Sequence, residues 1–331
     1  MIPEQNGREG EPLRTAVVGV GSLGRHHARN YADLTSEGTA KLSAVCDIDE
    51  TAGRSIADQF DTSFTADWRT LTDSIDAVSI VAPTELHCEI ACGFLEKGVH
   101  CLVEKPIAKT LDEADKMISA ANASGAKLMV GHLERFNPAM AALKPHVTTP
   151  LYFEIHRVSP FPNRSLDVDV VLDVMIHDLD AVQWLVGEDV EADSVSAVGI
   201  PIISDKVDAA NARLEFANGA VANITASRVG TEKIRKTRFY QTNSYVVLDY
   251  VTKFASVTSL DPSAAHPLLG ISVNKLEVTE VEPLRAELEA FLKSAREGSE
   301  PPVTAEDGRR ALVLALQVLE KIETHRARLR L

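Results

Sequence analysis

The sequence predicts an α/β protein in which a doubly wound N-terminal domain is followed by an α+β domain with a large, mostly antiparallel, open-faced sheet. Three observations support this prediction. Strand-like apolar runs alternate with amphipathic helical segments over the first 134 residues, a glycine-rich turn follows the first run, and extended segments predominate after Pro138. Alternating strands and helices are typical of a parallel sheet, whereas successive strands favour an antiparallel one. We therefore predict one domain over residues 1–134, with residues 1–13 flexible, and a second over residues 135–331.

Composition and charge exclude several classes of protein. The chain has 331 residues, of which 45% are apolar and 25% are charged, and its net charge is -14. This acidic balance argues against a nucleic-acid partner, because binding to phosphate backbones needs clustered Lys and Arg. No apolar run reaches the roughly 20 residues of a membrane helix, and the polar N-terminus is unlike a signal peptide. We expect a soluble, cytoplasmic protein with no membrane partner, in which Cys46, Cys88, Cys92 and Cys101 are reduced.

A glycine-rich turn follows the first predicted strand, Thr15–Val20. It reads Gly19-x-Gly21-x-x-Gly24 and opens directly into helix-compatible sequence. Glycines at these positions allow a tight turn and let a pyrophosphate approach backbone N–H groups at the positive end of a helix. Strand, glycine turn and helix, with an acid about 20 residues later, form the dinucleotide-binding fingerprint of Rossmann domains.

The acid of this fingerprint is Asp47, which follows the second predicted strand, Lys41–Cys46. Its carboxylate can accept hydrogen bonds from the ribose hydroxyls of an adenosine, and capping of the next helix is the alternative role. The stretch Asp47-Ile48-Asp49-Glu50 contains no cation that would hold a 2′-phosphate. The sequence therefore predicts NAD as the cofactor in preference to NADP.

Polar residues follow the fourth and fifth predicted strands, at the edge where open α/β sheets bind ligands. Ala82, Thr84 and His87 come after the fourth strand, with helix capping by Thr84 and a surface position for His87 as alternatives. The fifth strand ends in Glu104-Lys105-Pro106, because proline lacks an N–H and fixes φ. An ion pair or solvated charges are the alternative for this motif, and the sequence leaves open whether the Lys105-Pro106 bond is cis.

The sixth predicted strand, Lys127–Val130, leads to Arg135 in the loop between the domains, where a salt bridge is the alternative to a ligand role. The remaining predicted elements of this domain are the helix Glu50–Phe60, the strands Ser63–Thr65 and Ala77–Val81, the helix Glu85–Lys97 and a helix with the capping box Thr110-Leu111-Asp112-Glu113. The predicted cofactor-binding residues are Gly19, Gly21, Ser22, Leu23, Gly24, Asp47, Ile48, Ala82, Thr84, His87, Glu104, Lys105 and Arg135.

The second half of the chain reads mainly as strands. They are predicted at Tyr152–Ser159, Ser194–Pro201, Asn211–Phe216, Ala220–Val229, Phe239–Tyr250 and Leu276–Val281. Asn218-Gly219 predicts a hairpin turn between two of them, and two helices with apolar stripes close the chain. A large sheet with one face left uncovered by helices predicts a homodimer or homotetramer formed through that face.

The segment from Asp167 to Asp180 carries the chemically reactive side chains of the second half. If it is helical, Asp173, His177 and Asp180 lie on one face, because residues three and four apart are neighbours. A carboxylate next to a histidine orients it as a base. A buried structural histidine and a metal site are the alternatives, although no second histidine or cysteine has compatible spacing. Asp167, Asp169 and Asp178 are expected on the solvated side of the helix or at its cap.

Together these motifs resemble the Gfo/Idh/MocA family, the group of glucose-fructose oxidoreductase and inositol dehydrogenase. The glycine fingerprint, Glu104-Lys105-Pro106 and Asp173-x-x-x-His177 occur in the order and spacing of that family. The resemblance implies a Rossmann domain, a substrate domain and hydride exchange between nicotinamide and a sugar or polyol carbon. It also implies catalytic positions for Lys105, Asp173 and His177.

Two shorter segments resemble one subfamily, the UDP-N-acetylglucosamine 3-dehydrogenases. They are residues 130–138 and residues 157–161, which lead towards Asp173. This resemblance implies a nucleotide-sugar substrate, whose diphosphate Arg157 and Arg164 could hold by bidentate hydrogen bonds. Surface salt bridges are the alternative for both arginines.

These residues predict a mechanism for alcohol oxidation. We expect His177 to act as the base, Asp173 to orient it, and Lys105 to stabilise the developing alkoxide and relay the proton, in a site that both domains complete. Glu104 is expected to position Lys105 or a ribose hydroxyl. Alternative functions are an inositol or other sugar dehydrogenase, an NAD-dependent glycoside hydrolase, and a non-catalytic NAD-binding regulator. Retention of all three catalytic residues speaks against the regulator.

Overall fold

The computed structural model describes residues 11–161 and 168–329, which form two compact units. The first unit comprises residues up to Gly131 together with Leu284–Arg309, and the second comprises His132–Pro283 together with the residues from Arg310 onwards. The boundary predicted after residue 134 therefore differs from this division, because the chain returns to the first unit after residue 283. Among the described residues, no helix is long and apolar enough to span a bilayer.

The first unit contains a six-stranded sheet in which all neighbouring strands are parallel. Its strands are β1 (Leu13–Val18), β2 (Ala40–Cys46), β3 (Ser63–Thr65), β4 (Ala77–Ile80), β5 (His100–Glu104) and β6 (Leu128–Gly131). Their spatial order is β3-β2-β1-β4-β5-β6, the doubly wound order in which the direction of winding reverses between β1 and β4. The predicted parallel sheet is confirmed, although β1 begins at Leu13 inside the segment expected to be flexible.

Eight α-helices lie among the described residues. They are α1 (Gly24–Ser36), α2 (Glu50–Gln59), α3 (His87–Leu95), α4 (Leu111–Ser124), α5 (Pro138–Leu143), α6 (Ile176–Val186), α7 (Pro283–Glu297) and α8 (Ala305–Leu329). Helix α4 has the predicted capping box between Thr110 and Glu113 and ends at Gly125, whose φ is 77°. Short 3₁₀ segments precede α3 and α5, at Thr84–Leu86 and Leu133–Phe136.

The second unit contains an eight-stranded sheet that is antiparallel except for one pair of strands. Its strands are β7 (Pro150–Val158), β8 (Ala192–Ile200), β9 (Ala209–Phe216), β10 (Val221–Ser227), β11 (Ile234–Gln241), β12 (Ser244–Asp249), β13 (Phe254–Leu260) and β14 (Ile271–Lys275). Their order is β14-β13-β12-β11-β7-β10-β9-β8, and β7 with β10 is the parallel pair. The mostly antiparallel sheet predicted for this half is confirmed.

One face of this sheet forms the core of the second unit. Phe153, Ile155 and Phe239 are fully buried with Leu179 of α6 and Val318 of α8 in a single apolar cluster. The alternate residues of β7 point to the opposite face, because side chains of a strand alternate between its two sides. That face is only partly covered, as the open-faced sheet predicted.

Two strand predictions in the second half were wrong. The segment Phe239–Tyr250 is not one strand but parts of β11 and β12, joined by a turn in which Asn243 takes the left-handed region, with φ 58°. Leu276–Val281 is not a strand either, although Leu276 and Val278 pack against the core. Their alternation reflects packing on the core just beyond the end of β14, where the N–H of Leu276 still donates to the carbonyl oxygen of Ala255 in β13. Strand β14 itself is exposed along its whole length and so carries no alternation to detect.

Helix α7 belongs to the first unit. Arg285 forms an ion pair with Glu37, and Arg296 donates a hydrogen bond of 2.7 Å to the carbonyl oxygen of Thr39. The segment after α7 continues along β6, where the N–H of Val130 donates to the carbonyl oxygen of Val303. The apolar stripe of α7 predicted from the sequence is buried, at Leu284, Leu288, Phe291 and Leu292.

Candidate active site

The glycine loop after β1 is shaped for close backbone approach. Gly19 has a φ of 87°, and a Cβ atom there would lie 2.7 Å from the carbonyl oxygen of Val81. A Cβ atom on Gly24 would lie 1.8 Å from the carbonyl oxygen of Gly19, so these two glycines are needed for the loop itself. Gly21 differs, since no described atom lies within 4 Å of the position of its Cβ. The space in front of Gly21 is therefore left open on the surface of the unit.

The N-terminus of α1 lies directly behind this loop. Its cap residue, Leu23, offers no side-chain hydrogen bond, and no acidic residue occupies the first turn. No side chain of the cap or first turn therefore offsets the positive end of the helix dipole, which suits an anion-binding helix. Ser22, at the start of the loop's turn into α1, is exposed.

Asp47 is half-buried at the end of β2, next to the glycine loop. One carboxylate oxygen accepts a hydrogen bond of 2.7 Å from the N–H of Val20, and the other accepts one of 2.9 Å from the N–H of Asp49. The cap of α2 is Asp49, which accepts from the N–H groups of Thr51 and Ala52. The alternative role of Asp47 as helix cap is thus wrong. Its neighbour Ile48 is 90% exposed and presents an apolar surface beside the carboxylate.

His87 is buried and ties two loops of the sheet edge together. Its Nδ1 lies 3.0 Å from the carbonyl oxygen of Pro106, and its Nε2 lies 2.9 Å from that of Ala82. Burial lowers the pKa of His87, although both carbonyl oxygens act in the opposite direction. Because the ring is 1% exposed and both nitrogens face carbonyls, His87 holds the loops after β4 and β5 rather than contacting a cofactor. Thr84 is half-buried and does not cap a helix.

The end of β5 presents Lys105 half-buried beside a buried acid, Glu104. One oxygen of Glu104 lies 3.1 Å from Nε2 of His27, and the other accepts a 3.3 Å hydrogen bond from the backbone N–H of Lys105. Burial opposes ionisation of Glu104, yet the His27 hydrogen bond and the attraction of His27 and Lys105 outweigh it and lower the pKa. Glu104 therefore stays a carboxylate and fixes the backbone of Lys105. The Lys105-Pro106 peptide bond is cis.

Sequence reasoning missed two residues of this cluster. His27 of α1 is fully buried against Glu104, and Glu287 of α7 is also fully buried in the first unit. A signal for Glu287 was present, because it occupies a stripe position between Leu284, Leu288 and Phe291, where an amphipathic helix would place an apolar side chain.

In the second unit, Asp173 and His177 lie at a helical irregularity. Val171–Met175 forms a turn of π-helix, in which the N–H of Ile176 donates to the carbonyl oxygen of Val171, and α6 follows it directly. Such π turns are frequent at functional sites. Asp173 and His177 are both half-buried, four residues apart across this turn. Both side chains are thus partly exposed, and the two residues are close enough in sequence to act as a pair.

Asp180 does not join that pair. Its two oxygens accept hydrogen bonds of 2.9 Å and 2.6 Å from Nε and Nη2 of Arg135, and both residues are buried. The predicted cofactor role of Arg135 is thus wrong, and the salt bridge weighed against it is what the structure contains. Arg135 also stacks on Trp184, with its guanidinium 5.2 Å from the ring centroid.

Arg157 is the centre of a second buried ion cluster. Its Nε and Nη2 donate to Asp178 at 2.8 Å and 2.7 Å, and its Nη1 donates to Glu134 at 2.7 Å. The side chain is 4% exposed, so it does not reach a ligand, and its predicted role in holding a diphosphate is wrong. Asp178 was expected on the solvated side or at the cap and is instead buried. Burial raises the pKa of Asp178 even though Arg157 opposes this.

Some predicted positions are not covered by the structure. Arg164 and Asp167 lie outside the described residues. Asp169 is half-buried and accepts a 2.8 Å hydrogen bond from the N–H of Val207. Within residues 11–161 and 168–329, no three or more His, Cys, Asp or Glu side chains come together in a way that could hold a metal ion.

The parallel sheet, its glycine loop and the acid at the end of β2 define a dinucleotide-binding Rossmann domain. A model for the oxidoreductase family with an NAD-binding Rossmann fold matches residues 13–132, and a GFO/IDH/MocA C-terminal domain model matches residues 149–246. The chain belongs to the GFO/IDH/MocA family of NAD-binding oxidoreductases, as the motifs predicted.

Several relatives are similar over almost the whole chain. The UDP-N-acetylglucosamine 3-dehydrogenase of Acidithiobacillus ferrooxidans is 35% identical over 94% of this chain and 97% of its own length. Its crystal structure has a TM-score of 0.88, covering 94% of this chain and 98% of that one. The myo-inositol 2-dehydrogenase of Thermotoga maritima is 27% identical over 95% of this chain and 98% of its own length. A levoglucosan dehydrogenase in complex with NADH and levoglucosan is 22% identical with a TM-score of 0.85, over 95% of this chain and 98% of that one, and shares the fold.

The first unit fits NAD on its own geometry. No described protein atom would clash with a Cβ on Gly21, yet the residue is a glycine. A pyrophosphate lying against the loop would explain why a side chain is absent there. The uncapped N-terminus of α1 suits its negative charge. The carboxylate of Asp47 suits ribose hydroxyls, and the exposed Ile48 suits the apolar face of an adenine.

The glycine loop gives a prediction that separates binding from folding. In Gly21→Ala the new methyl group meets no protein atom, so we expect an unchanged melting temperature. It occupies the space of the pyrophosphate, so the Kd for NAD should rise by about tenfold or more, the equivalent of about 1.4 kcal/mol. Calorimetric titration with NAD and a thermal melt measure the two effects.

The matched variant Gly24→Ala should lower the melting temperature instead, since its methyl group collides with Gly19. Equal NAD affinity of Gly21→Ala and the parent protein would contradict the assignment.

Proposed function

We propose that this protein is an NAD-dependent dehydrogenase that oxidises the 3-hydroxyl of UDP-N-acetylglucosamine. The observation that carries the proposal is the 35% identity over 94% of the chain with the UDP-N-acetylglucosamine 3-dehydrogenase of A. ferrooxidans. The partly exposed side chains of Lys105, Asp173 and His177 support it, because they supply the acid, base and charge that alcohol oxidation needs. Gly19, Gly21, Ser22, Leu23, Gly24, Asp47, Ile48, Ala82, Thr84 and Glu104 remain the residues we propose to hold or support NAD.

Each of the proposed active-site residues has a separate role in the reaction. When bound, NAD supplies the carbon that accepts the hydride. His177 takes the proton of the substrate hydroxyl, and Asp173 orients the imidazole across the π turn. Lys105 places a positive charge where the oxygen becomes negative and relays the proton. Glu104 supports Lys105 from behind, through its hydrogen bond to the Lys105 N–H.

Binding of the nucleotide part of the substrate needs cations outside the buried clusters. With Arg157 committed to Glu134 and Asp178, Arg164 remains our predicted contact to the diphosphate. It lies beyond the described residues, and a bidentate guanidinium is suited to this group.

The second candidate is an inositol dehydrogenase, favoured by the 27% identity with the T. maritima enzyme over 95% of the chain. A single assay separates the candidates. We expect NAD reduction, followed by NADH absorbance, with UDP-N-acetylglucosamine and not with inositol or simple aldoses. Reduction with inositol alone would replace the proposed substrate. Release of free sugar without net NADH would indicate a glycoside hydrolase. NAD binding without turnover of any substrate would indicate a regulator.

We further propose a homodimer or homotetramer formed through the open sheet face. That face carries Tyr152 stacked on Tyr240, with ring centroids 5.7 Å apart, and Tyr240 packed on Tyr245 at 4.8 Å. Tyr240 is 41% exposed, and aromatic patches of this kind are typical of interfaces. A monomeric mass by light scattering would contradict this proposal. The four free cysteines support our placement of the enzyme in the cytoplasm.

A further inference from the structure

Glu287 is a charged residue type in an environment where a charge is costly. It lies in the middle of α7, its side chain is 0% exposed, and neither carboxyl oxygen has a hydrogen-bond partner among the described residues. Its helix neighbours Leu288 and Phe291 are fully buried apolar residues. Burying an unpaired carboxylate costs far more than burying a neutral acid, so the native state favours the protonated form.

The surroundings of Glu287 make its charge state matter to the proposed active site. The titratable and charged groups of this cluster are His27 and Tyr31 on α1, and Glu104 with Lys105 at the end of β5. Glu104 is the nearby carboxylate whose negative charge acts on Glu287. Tyr31 is fully buried, with its hydroxyl 2.9 Å from Ser79 Oγ, and burial raises its pKa so that it stays neutral.

Two buried carboxyl groups that repel each other cannot both ionise cheaply, and the environment decides which one does. Glu104 has hydrogen bonds with His27 and with the backbone N–H of Lys105, and the positive charge of Lys105 favours its ionised form. Glu287 has none of these contacts. Burial first, and then the charge of Glu104, raise the pKa of Glu287 well above its usual value. The single negative charge of the pair therefore resides on Glu104.

We infer that Glu287 is a positioning residue for Lys105: by keeping a proton, Glu287 leaves Glu104 as the single carboxylate of the pair and so holds Glu104 against His27 and the Lys105 backbone. The inference rests on the proposed role of Lys105. Loss of the Glu287 proton at alkaline pH places a second negative charge in the cluster. The repulsion then weakens the contacts of Glu104 and displaces Lys105.

Infrared titration tests the proton directly and without turnover. We expect the carbonyl stretch of a protonated carboxylic acid in the native protein at neutral pH, and its loss in Glu287→Gln. The control Glu289→Gln changes an exposed acid of the same helix, paired with Arg285, and should leave the band unchanged. In Glu104→Gln the midpoint at which the band disappears should fall to lower pH, because the repelling charge is gone. Absence of the band from the parent protein overturns the inference.

Stability and kinetics give the second readout. When folding raises the pKa of an acid, the folded state loses stability as the pH rises from the pKa of that acid in the unfolded chain towards its pKa in the folded protein. Glu287→Gln should therefore be more stable than the parent at neutral pH, by a margin that grows with pH. Its kcat at neutral pH should stay within about twofold of the parent, and the alkaline limb of kcat/KM should move to higher pH. An unmoved limb in an active enzyme overturns the positioning role alone, whereas an inactive parent enzyme overturns the proposed function and leaves the infrared result intact.

Discussion

Replacing Lys105 by alanine is expected to lower kcat for the nucleotide sugar by about 10²- to 10³-fold. The ammonium group of Lys105 is the only cation that we assign to the oxygen that loses its proton, and such preorganised charges are often the largest single contribution to catalysis. NAD affinity should change little, because the glycine loop and Asp47 are held by β1 and β2 and do not involve the Lys105 side chain. Glu104 keeps its contact with residue 105, since that bond uses the backbone N–H.

Steady-state kinetics together with NAD titration measure this split between kcat and cofactor affinity. Lys109→Ala is the matched control, because Lys109 lies four residues further along the same segment and is exposed, so its loss should leave kcat unchanged. Lys105→Arg tests whether charge alone suffices, and we expect only partial activity because the guanidinium is planar and bulkier than an ammonium. Parental turnover by Lys105→Ala would remove Lys105 from the mechanism.

The fold could be predicted from the sequence to the extent that burial leaves a periodic pattern. Five of the six strands of the parallel sheet have buried runs, the exception being the three-residue strand β3, and each of the six was predicted within two residues at either end. The errors fall where the hydrophobic alternation of the sequence does not coincide with strand pairing in the structure. Strand β14 is exposed on both sides, Leu276 and Val278 alternate beyond the end of that strand, and the turn at Asn243 interrupts an otherwise continuous extended run. Helix α7 was predicted as a helix, but its return to the first unit depends on contacts with residues about 250 positions away, such as Glu37.

The candidate site shows the same division between local and distant information. The glycine loop, Asp47, Lys105 and the Asp173 and His177 pair are recognisable because each has a fixed place relative to its own strand or helix. The roles of Arg157, Arg135 and His87 were not recognisable. Their partners are Asp178, Asp180 and Pro106, which lie 21, 45 and 19 residues away. An arginine in a sequence reads equally as ligand or as buried counter-ion until the fold places a carboxylate beside it.

Arg157→Met is accordingly expected to reduce stability rather than only substrate binding. The substitution keeps much of the volume but leaves Glu134 and Asp178 buried without their shared cation, and breaking a buried ion cluster in this way costs about 3–5 kcal/mol. The matched control is Arg213→Met, an exposed arginine paired with Glu215 on the open sheet face, where we expect a change within about 0.5 kcal/mol. Urea unfolding followed by tryptophan fluorescence measures both variants, since Trp184 reports on the second unit.

The pH dependence identifies the cause of the loss in Arg157→Met. Arg157 opposes the effect of burial on Asp178, so its removal raises the pKa of that carboxyl further. A carboxyl group with a raised folded pKa costs stability as the pH climbs above its unfolded value of about 4, and costs nothing once both states are protonated. The deficit of Arg157→Met relative to the parent should therefore shrink as the pH falls towards 4, whereas a packing defect would be independent of pH. Parental stability combined with a raised KM for the nucleotide sugar would instead restore Arg157 as a ligand of the diphosphate. The buried cluster and the ligand role thus make opposite predictions for one variant, and the burial of the guanidinium decides in favour of the cluster.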